Sequence, residues 1–264
     1  MPRMPRWQLQ NPLQAVMFDC DGTLCMIEGI DELARLTNTE NEVAALTEEA
    51  MGKSGINPDL YRKRMNLVMP SETQTLALGR GYCQQQSPDS HAVIRILQRL
   101  NKSLFILSAG LKPAVAILGE HLSIPRNHIY AVDVSFDPNG NYKNFDDTSP
   151  LTRAQGKCDI AKMLMKQYPS IAHIGDGMND VVVRDLVTRF IGYGGAYYRQ
   201  SIAELCQFYL KTKSFAALLP LLLTQDEANQ LTADEKTLYN KGLTTIKNGE
   251  MDFNDSPSVD PHNS

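Results

Sequence analysis

Residues 15–23 read Ala15-Val16-Met17-Phe18-Asp19-Cys20-Asp21-Gly22-Thr23, a short apolar run followed at once by two carboxylates and a glycine. A continuous apolar run of this length fits a strand buried on both faces, as in a parallel sheet. Ligands of open α/β sheets bind beyond the carboxyl ends of the strands, so the acidic pair is expected on the functional edge. Side chains alternate along an extended segment, which puts Asp19 and Asp21 on one side with Cys20 turned away. Two carboxylates that close repel each other unless a cation or a shared proton lies between them.

Outward from this stretch, similar apolar runs recur at Ser103–Leu107, Ile171–Ile174, Phe190–Ile191 and Phe208–Leu210. Segments of helical period lie between them: Val93, Leu97 and Leu100 after a cap at Ser87 or Ser90, then Val115, Leu118 and Leu122 after Pro113, then Ile160, Met163 and Leu164. Strands alternating with helices predict an α/β fold with a doubly wound, Rossmann-like parallel sheet. Two regions interrupt the alternation. From Glu28 to about Pro88 the apolar spacing is helical throughout (Leu33/Leu36, Val43/Leu46/Ala50, Leu60/Met65/Val68), which predicts a small helical cap inserted after the first strand. Over Val132–Phe145, alternating residues flank Pro138-Asn139-Gly140-Asn141, a hairpin signal. The expected organisation is a leader over 1–10, a core from 11–27 and 88–223, a cap over 28–87, and an acidic extension over 224–264. That extension carries eight acidic and three basic side chains. Leu231, Leu238 and Leu243 allow a helix in it, and beyond Asn248 disorder is expected.

The 264 residues carry 26 Lys+Arg against 30 Asp+Glu, a formal charge of −4, with 42% hydrophobic content. The length permits a real core and the composition excludes a disordered or fibrous chain. A slightly acidic chain lacks the basic stripe that nucleic acid requires. Phe215–Leu223 is too short an apolar run for a bilayer, and no secretory signal follows the basic start, so neither nucleic acid nor membrane is expected as a partner. Five cysteines (Cys20, Cys25, Cys83, Cys158, Cys206) without a C-x-x-C pair read as reduced thiols of a cytoplasmic protein. His173, inside an apolar run, reads as a packed core residue. Gly192-Tyr193-Gly194-Gly195 lacks the spacing of a dinucleotide loop and reads as a tight turn near the functional edge.

A second acidic cluster decides the chemistry. The run Ile171–Ile174 leads into Gly175-Asp176-Gly177-Met178-Asn179-Asp180, again at a strand's carboxyl end. If the two strands are neighbours, Asp19, Asp21 and Asp176 converge, and an oxygen-only ligand set suits a hard octahedral cation, Mg²⁺. With Ser108 after the second run and Lys157 at a helix start, four ordered motifs are present. Over residues 13–222 the chain resembles the haloacid dehalogenase superfamily, in its phosphoserine phosphatase-like branch.

That resemblance implies a Mg²⁺-dependent phosphomonoesterase acting on a small substrate, O-phosphoserine first. Asp19 would be the nucleophile, forming an aspartyl-phosphate, and Asp21 the acid and then the base. The metal would be held by Asp19, the backbone carbonyl of Asp21, and Asp176. Ser108, Ala109, Lys157 and Asn179 would hold the phosphoryl group, while Thr23 and Asp180 support the loops. In the cap, Glu28 would meet the substrate ammonium, Arg64 its carboxylate, and Met51 would line the pocket. Another amino or alcohol phosphate, transfer to an acceptor hydroxyl, and a non-catalytic phosphate-binding regulator are the alternatives.

Overall fold

The computed structural model describes residues 5, 7–51 and 56–255, with backbone only over 47–51. In chain order, β1 (Ala15–Phe18) leads into α1 (Gly29–Thr37), α2 (Glu40–Met51), α3 (Pro58–Val68) and α4 (Glu72–Gln84). Then come α5 (Ser90–Arg99), β2 (Ser103–Leu111), α6 (Lys112–His121), β3 (Ile129–Val132), β4 (Val134–Phe136) and β5 (Tyr142–Phe145). The alternation continues through α7 (Gly156–Met165), β6 (Ile171–Gly175), α8 (Met178–Val181), β7 (Arg189–Tyr193), α9 (Gln200–Ala203) and β8 (Phe208–Leu210). The chain closes with α10 (Leu218–Leu222), α11 (Gln225–Asn229), α12 (Ala233–Lys247) and β9 (Met251–Phe253).

Seven strands form one sheet in the order β3-β2-β1-β6-β7-β8-β9, parallel except for β9. The fold is the expected doubly wound α/β sheet with flanking helices. The chain leaves β1 toward β2 on one side and reaches β6 on the other, so the carboxyl end of β1 is the switch point where such sheets bind ligands. Register completes the placement. Phe18 pairs with both Ile106 and Ile174, so Asp19, one residue beyond it, and Ser108 and Asp176, two beyond their partners, leave the sheet at the same edge.

The continuous apolar run of β1 is explained by cover on both faces. Val16 and Phe18 pack with Val93, Leu97, Val115 and Leu118 from α5 and α6, while Ala15 and Met17 pack with Ala161 and Leu164 of α7. Burying each large side chain of this kind contributes about 1.5–3 kcal/mol. Neither Ser87 nor Ser90 caps α5. Asp89 occupies that position with φ +66°, its carboxylate drawn off to Ser214 and to Lys241 of α12.

The four helices α1–α4 fill the insertion. Asn57 caps α3 by accepting from Leu60 N with Pro58 in the first turn, and Ser71 and Gln74 form a capping box on α4. The two crossings between insertion and core run side by side, with Met26 N donating to Gln85 O (2.8 Å) and Ser87 N to Leu24 O (3.0 Å). The hairpin β4–β5 forms as the Asn-Gly signal predicts, with Gly140 at φ +78°.

The extension holds the helix its leucines allow, and it departs from the expectation only beyond Asn248, where order continues to residue 255. Capping boxes at Thr224/Glu227 and Thr232/Glu235 start α11 and α12, and Ala228, Leu231 and Tyr239 are buried. Beyond Asn248, β9 pairs antiparallel with β8, its Phe253 ring 5.4 Å from Phe208. Three of the acidic residues make ion pairs with the core, while Asp226, Asp234, Glu250 and Asp255 are exposed. Glu227 pairs with the buried Lys102 (2.5 Å), Glu235 with Arg99 (2.5 Å) and Asp252 with Lys211 (2.6 Å). Residues 256–264 lie outside the described part. The leader is tied in as well, with Leu9 bridging Thr224 and Arg189 donating to Trp7 O (2.6 Å). Among the described residues no helix is long and apolar enough to cross a membrane.

Candidate active site

Asp19 leaves β1 almost fully buried, its backbone N–H donating to Ile174 O (2.9 Å), so that it straddles β1 and β6. The turn Cys20–Leu24 then reverses the chain through Gly22 at φ +67°. Glycine is required there twice: the conformation is left-handed, and a Cβ would lie 2.5 Å from Asp176 Oδ2. The bare backbone at 22 is what lets Asp176 close up against the Asp19 loop.

Lys157, in the first turn of α7 and itself buried, reaches Asp19 Oδ1 at 2.8 Å and Asp180 Oδ1 at 2.6 Å. Burial pulls its pKa down, but Asp180 and Asp19 outweigh it and hold the ammonium above its ordinary value. Asp180 Oδ1 also meets His173 Nε2 at 2.7 Å, and its Oδ2 accepts from Gly177 N (3.1 Å). Despite full burial, Lys157 and His173 bring the Asp180 carboxyl down to about 2. Asp180 is therefore a fixed anion that anchors Lys157 and the Gly177 turn. His173 is the packed core residue its position predicted, with burial lowering its pKa.

Asp19 shows the opposite balance. Burial, then the charge of Asp180, pushes its carboxyl well up against the pull of Lys157. Burial also raises Asp176 to about 6, although Arg199 opposes the shift. Carboxylate oxygens of Asp19, Asp176 and Asp180 lie within 4.8 Å of one another, a buried acidic cluster able to hold a metal ion. Around the site the carboxylates of Asp19, Asp21, Glu28, Asp176 and Asp180 face the cations Lys157, Arg64 and Arg199, a formal balance of 3 − 5 = −2. The hard oxygen donors and that uncompensated charge fit a divalent cation.

The convergence expected of Asp19, Asp21 and Asp176 is corrected in one respect. Asp180 completes the carboxylate cluster, and the Asp21 carboxylate is turned aside. Its Oδ1 accepts from Gly29 N (2.6 Å) and from Tyr82 Oη (2.7 Å), and its Oδ2 lies 3.3 Å from Ser108 Oγ. The cause is the start of α1, whose exposed N–H groups attract the nearest carboxylate. Thr23 is buried, but its hydroxyl finds no partner among the described residues. Its carbonyl instead accepts from Ser87 Oγ, so it orders the loop through its backbone.

Ser108 is fully buried and its Oγ accepts from Gly110 N (2.8 Å), while the carbonyl of Ala109 accepts from Tyr61 Oη (3.0 Å). One cavity is lined by Asp19, Asp21, Ala109, Asp176 and Asn179 from the core and by Glu28, Tyr61, Arg64 and Tyr82 from the insertion. Arg64 is buried with its Nε unpartnered among the described residues, and burial lowers its pKa against the pull of Glu28 and Asp31. Burial, then Asp176, raises the Glu28 carboxyl well above its usual range. The backbone of Met51 ends α2, and its side chain lies outside the described part.

Two residues of the site escape a reading by motif. Arg199 donates to Asp176 Oδ2 and to its carbonyl (3.1 Å), and its other Nη lies 3.4 Å from Glu28 Oε1. Its signal was its position, a cation just past the glycine-rich turn after β7, on the sheet's ligand-binding edge. Tyr197 stacks on it at 5.3 Å and Tyr198 packs edge-on to Tyr209, although both tyrosines remain exposed. Tyr82 is the other, and only the fold brings it to Asp21.

The chain belongs to the haloacid dehalogenase-like hydrolases, whose family model matches residues 13–182. Within that class its relatives are phosphoserine phosphatases, and it is a phosphoric monoester hydrolase. It is 32% identical over 198 residues to the phosphoserine phosphatase of Homo sapiens, covering 74% of this chain and 88% of the relative. To that of Drosophila melanogaster it is 33% identical over 204 residues, covering 75% and 74%. The crystal structure of a phosphoserine phosphohydrolase-like protein from Francisella tularensis superposes with TM-score 0.67 at 22% identity, covering 76% of this chain and 96% of that one.

Proposed function

We propose that this chain hydrolyses O-phosphoserine to serine and inorganic phosphate through an aspartyl-phosphate on Asp19. Residues 11–27 and 88–223 act as the chemical core and residues 28–87 as the cap that reads the substrate. A carboxylate oxygen of Asp19 attacks phosphorus, forming the Asp19 O–P bond as the P–O bond to serine breaks. Asp21 gives its proton to the departing alkoxide, then takes one from the water that attacks phosphorus, and the Asp19 O–P bond breaks to release phosphate and the free carboxylate. Lys157, Ser108, the backbone at Ala109 and Asn179 hold the phosphoryl oxygens. Asp19, the Asp21 carbonyl and Asp176 would hold Mg²⁺, which would supply charge neutralisation. The five free cysteines accord with the reducing cytoplasm as its place of action.

The observation that carries the substrate assignment is the opposed pair in the cap. Arg64 is buried with its Nε–H unpartnered among the described residues, and it lines the cavity together with Glu28. A buried guanidinium with an unpartnered N–H is costly and calls for an anion, which a substrate carboxylate supplies bidentately. Glu28 suits the ammonium. The test is the ratio of kcat/KM for phosphoserine and phosphoethanolamine in wild type and Arg64→Ala. Loss of the carboxylate contact lowers phosphoserine turnover about ten- to a hundredfold and spares phosphoethanolamine. An unchanged ratio removes phosphoserine from consideration while leaving phosphatase chemistry in place.

A further inference from the structure

The partners of Asp21 are arranged unequally on its two oxygens. Tyr82, fully buried in the last turns of α4, donates to Oδ1 at 2.7 Å, and Gly29 N donates to the same atom at 2.6 Å. Oδ2 accepts one longer bond, from Ser108 Oγ at 3.3 Å, and lies on the side of Gly110, which leaves it a lone pair for a proton. A carboxylate oxygen has two lone pairs in its plane, so two short donated bonds leave Oδ1 without a site for a proton.

The surroundings are built to hold this contact. A side chain at position 29 would overlap Tyr82 Oη and crowd Asp21 Oδ1, so glycine is needed for the phenol to reach the carboxylate. The helix carrying Tyr82 is pressed onto the core, since a Cβ at Gly79 would lie 2.8 Å from Ala114 O of α6. Tyr82 is thus a rigid pillar of the insertion, fixed to the core, whose hydroxyl ends on a site carboxylate.

We propose that Tyr82 is a positioning residue for Asp21: with Gly29 N–H it occupies Oδ1 and so assigns Oδ2 as the only oxygen that gives and takes the catalytic proton. The inference rests on the reading of Asp21 as acid and base. In the first half-reaction the proton on Oδ2 passes to the alkoxide as the P–O bond breaks. In the second, Oδ2 receives the proton of the attacking water. Without the phenol, the proton is shared between two oxygens, one of them pointing away from phosphorus.

The test exploits leaving groups. An alkoxide needs a proton in the transition state, whereas p-nitrophenolate needs almost none. Tyr82→Phe removes one oxygen from a packed ring. It is expected to lower kcat for O-phosphoserine about tenfold at unchanged KM, while the pre-steady-state burst of p-nitrophenolate from p-nitrophenyl phosphate stays within about twofold. Gly29→Ala, which displaces the hydroxyl from the other side, should reproduce the pattern. Equal losses on both substrates, or no loss on either, overturn the proposal. Asp21→Asn separates it from its premise. If Asp21→Asn abolishes phosphoserine turnover while Tyr82→Phe leaves it intact, the positioning role alone fails. If Asp21→Asn still turns over phosphoserine, the acid–base reading fails and the inference with it.

Discussion

Lys157 and Asp19 form an ion pair of 2.8 Å with both side chains almost sealed from water. The two come from different layers, one from the end of β1 and the other from the first turn of α7, so the pair joins the sheet to a flanking helix. Lys157 also holds Asp180 at 2.6 Å. Lys157→Met keeps the bulk and removes the charge, leaving two buried carboxylates without their counter-ion. Breaking a buried pair from one side costs about 3–5 kcal/mol, so urea denaturation of the metal-free variant should shift by that amount. Phosphate release should fall at least about a hundredfold, since a preorganised charge at the reacting oxygens is lost. A stable variant with wild-type turnover would show that the pair does neither task.

The acidic cluster makes metal binding sensitive to pH. Burial raises Asp176 from its ordinary 3.8 to about 6, so the folded chain binds more protons there than the unfolded one between those values. The contribution of Asp176 to metal-free stability therefore falls as pH rises across that interval. Asp180, held down at about 2, acts only below 3.8, where its stabilisation is lost as pH falls. A cation that needs Asp176 ionised competes with its proton. The rise in Tm produced by Mg²⁺ should accordingly be small at pH 5 and large at pH 7. Equal shifts at the two pH values would contradict the assignment of Asp176 as a ligand.

The carboxyl-terminal extension should matter to stability in proportion to what it buries. Truncation after Leu223 strips Glu227 from Lys102, whose side chain is only 1% exposed, and uncovers the surface under α12. A loss of about 10 °C or more in Tm is expected, in a protein that retains every proposed catalytic residue. Among the described elements, truncation after Asn248 removes only β9 and exposes the edge of β8. Its kcat should stay within about twofold of wild type. Scanning calorimetry and phosphate release on the two truncations check both statements, and an inactive but stably folded shorter chain would show that the extension reaches the site.

The sheet is legible because its strands are buried on both faces, which makes β1 an unbroken apolar run and leaves β2 and β6 mostly apolar. β3 was missed because Ile129–Val132 is short and runs directly into the hairpin. The acidic motifs were legible because they follow their strands at once, and register then carries Asp19 and Asp176 together. The rotation of the Asp21 carboxylate toward Gly29 and Tyr82 depends on how α1 and α4 pack, which no local pattern encodes. Arg199 was hidden for the same reason, since one arginine beyond a glycine-rich turn is most often a surface charge. The order beyond Asn248 is not legible, because β9 is held by β8 and by the Asp252–Lys211 pair, partners about forty residues away in sequence.

Asp19 as the covalent nucleophile is the centre of this account, and one measurement addresses it most directly. Asp19→Asn preserves the shape of the side chain and removes the attacking charge. Inorganic phosphate release from O-phosphoserine, in saturating Mg²⁺ and with folding verified by circular dichroism, should fall to the rate without enzyme. Release within about tenfold of wild type, far above what a neutral amide can supply, would contradict the covalent mechanism.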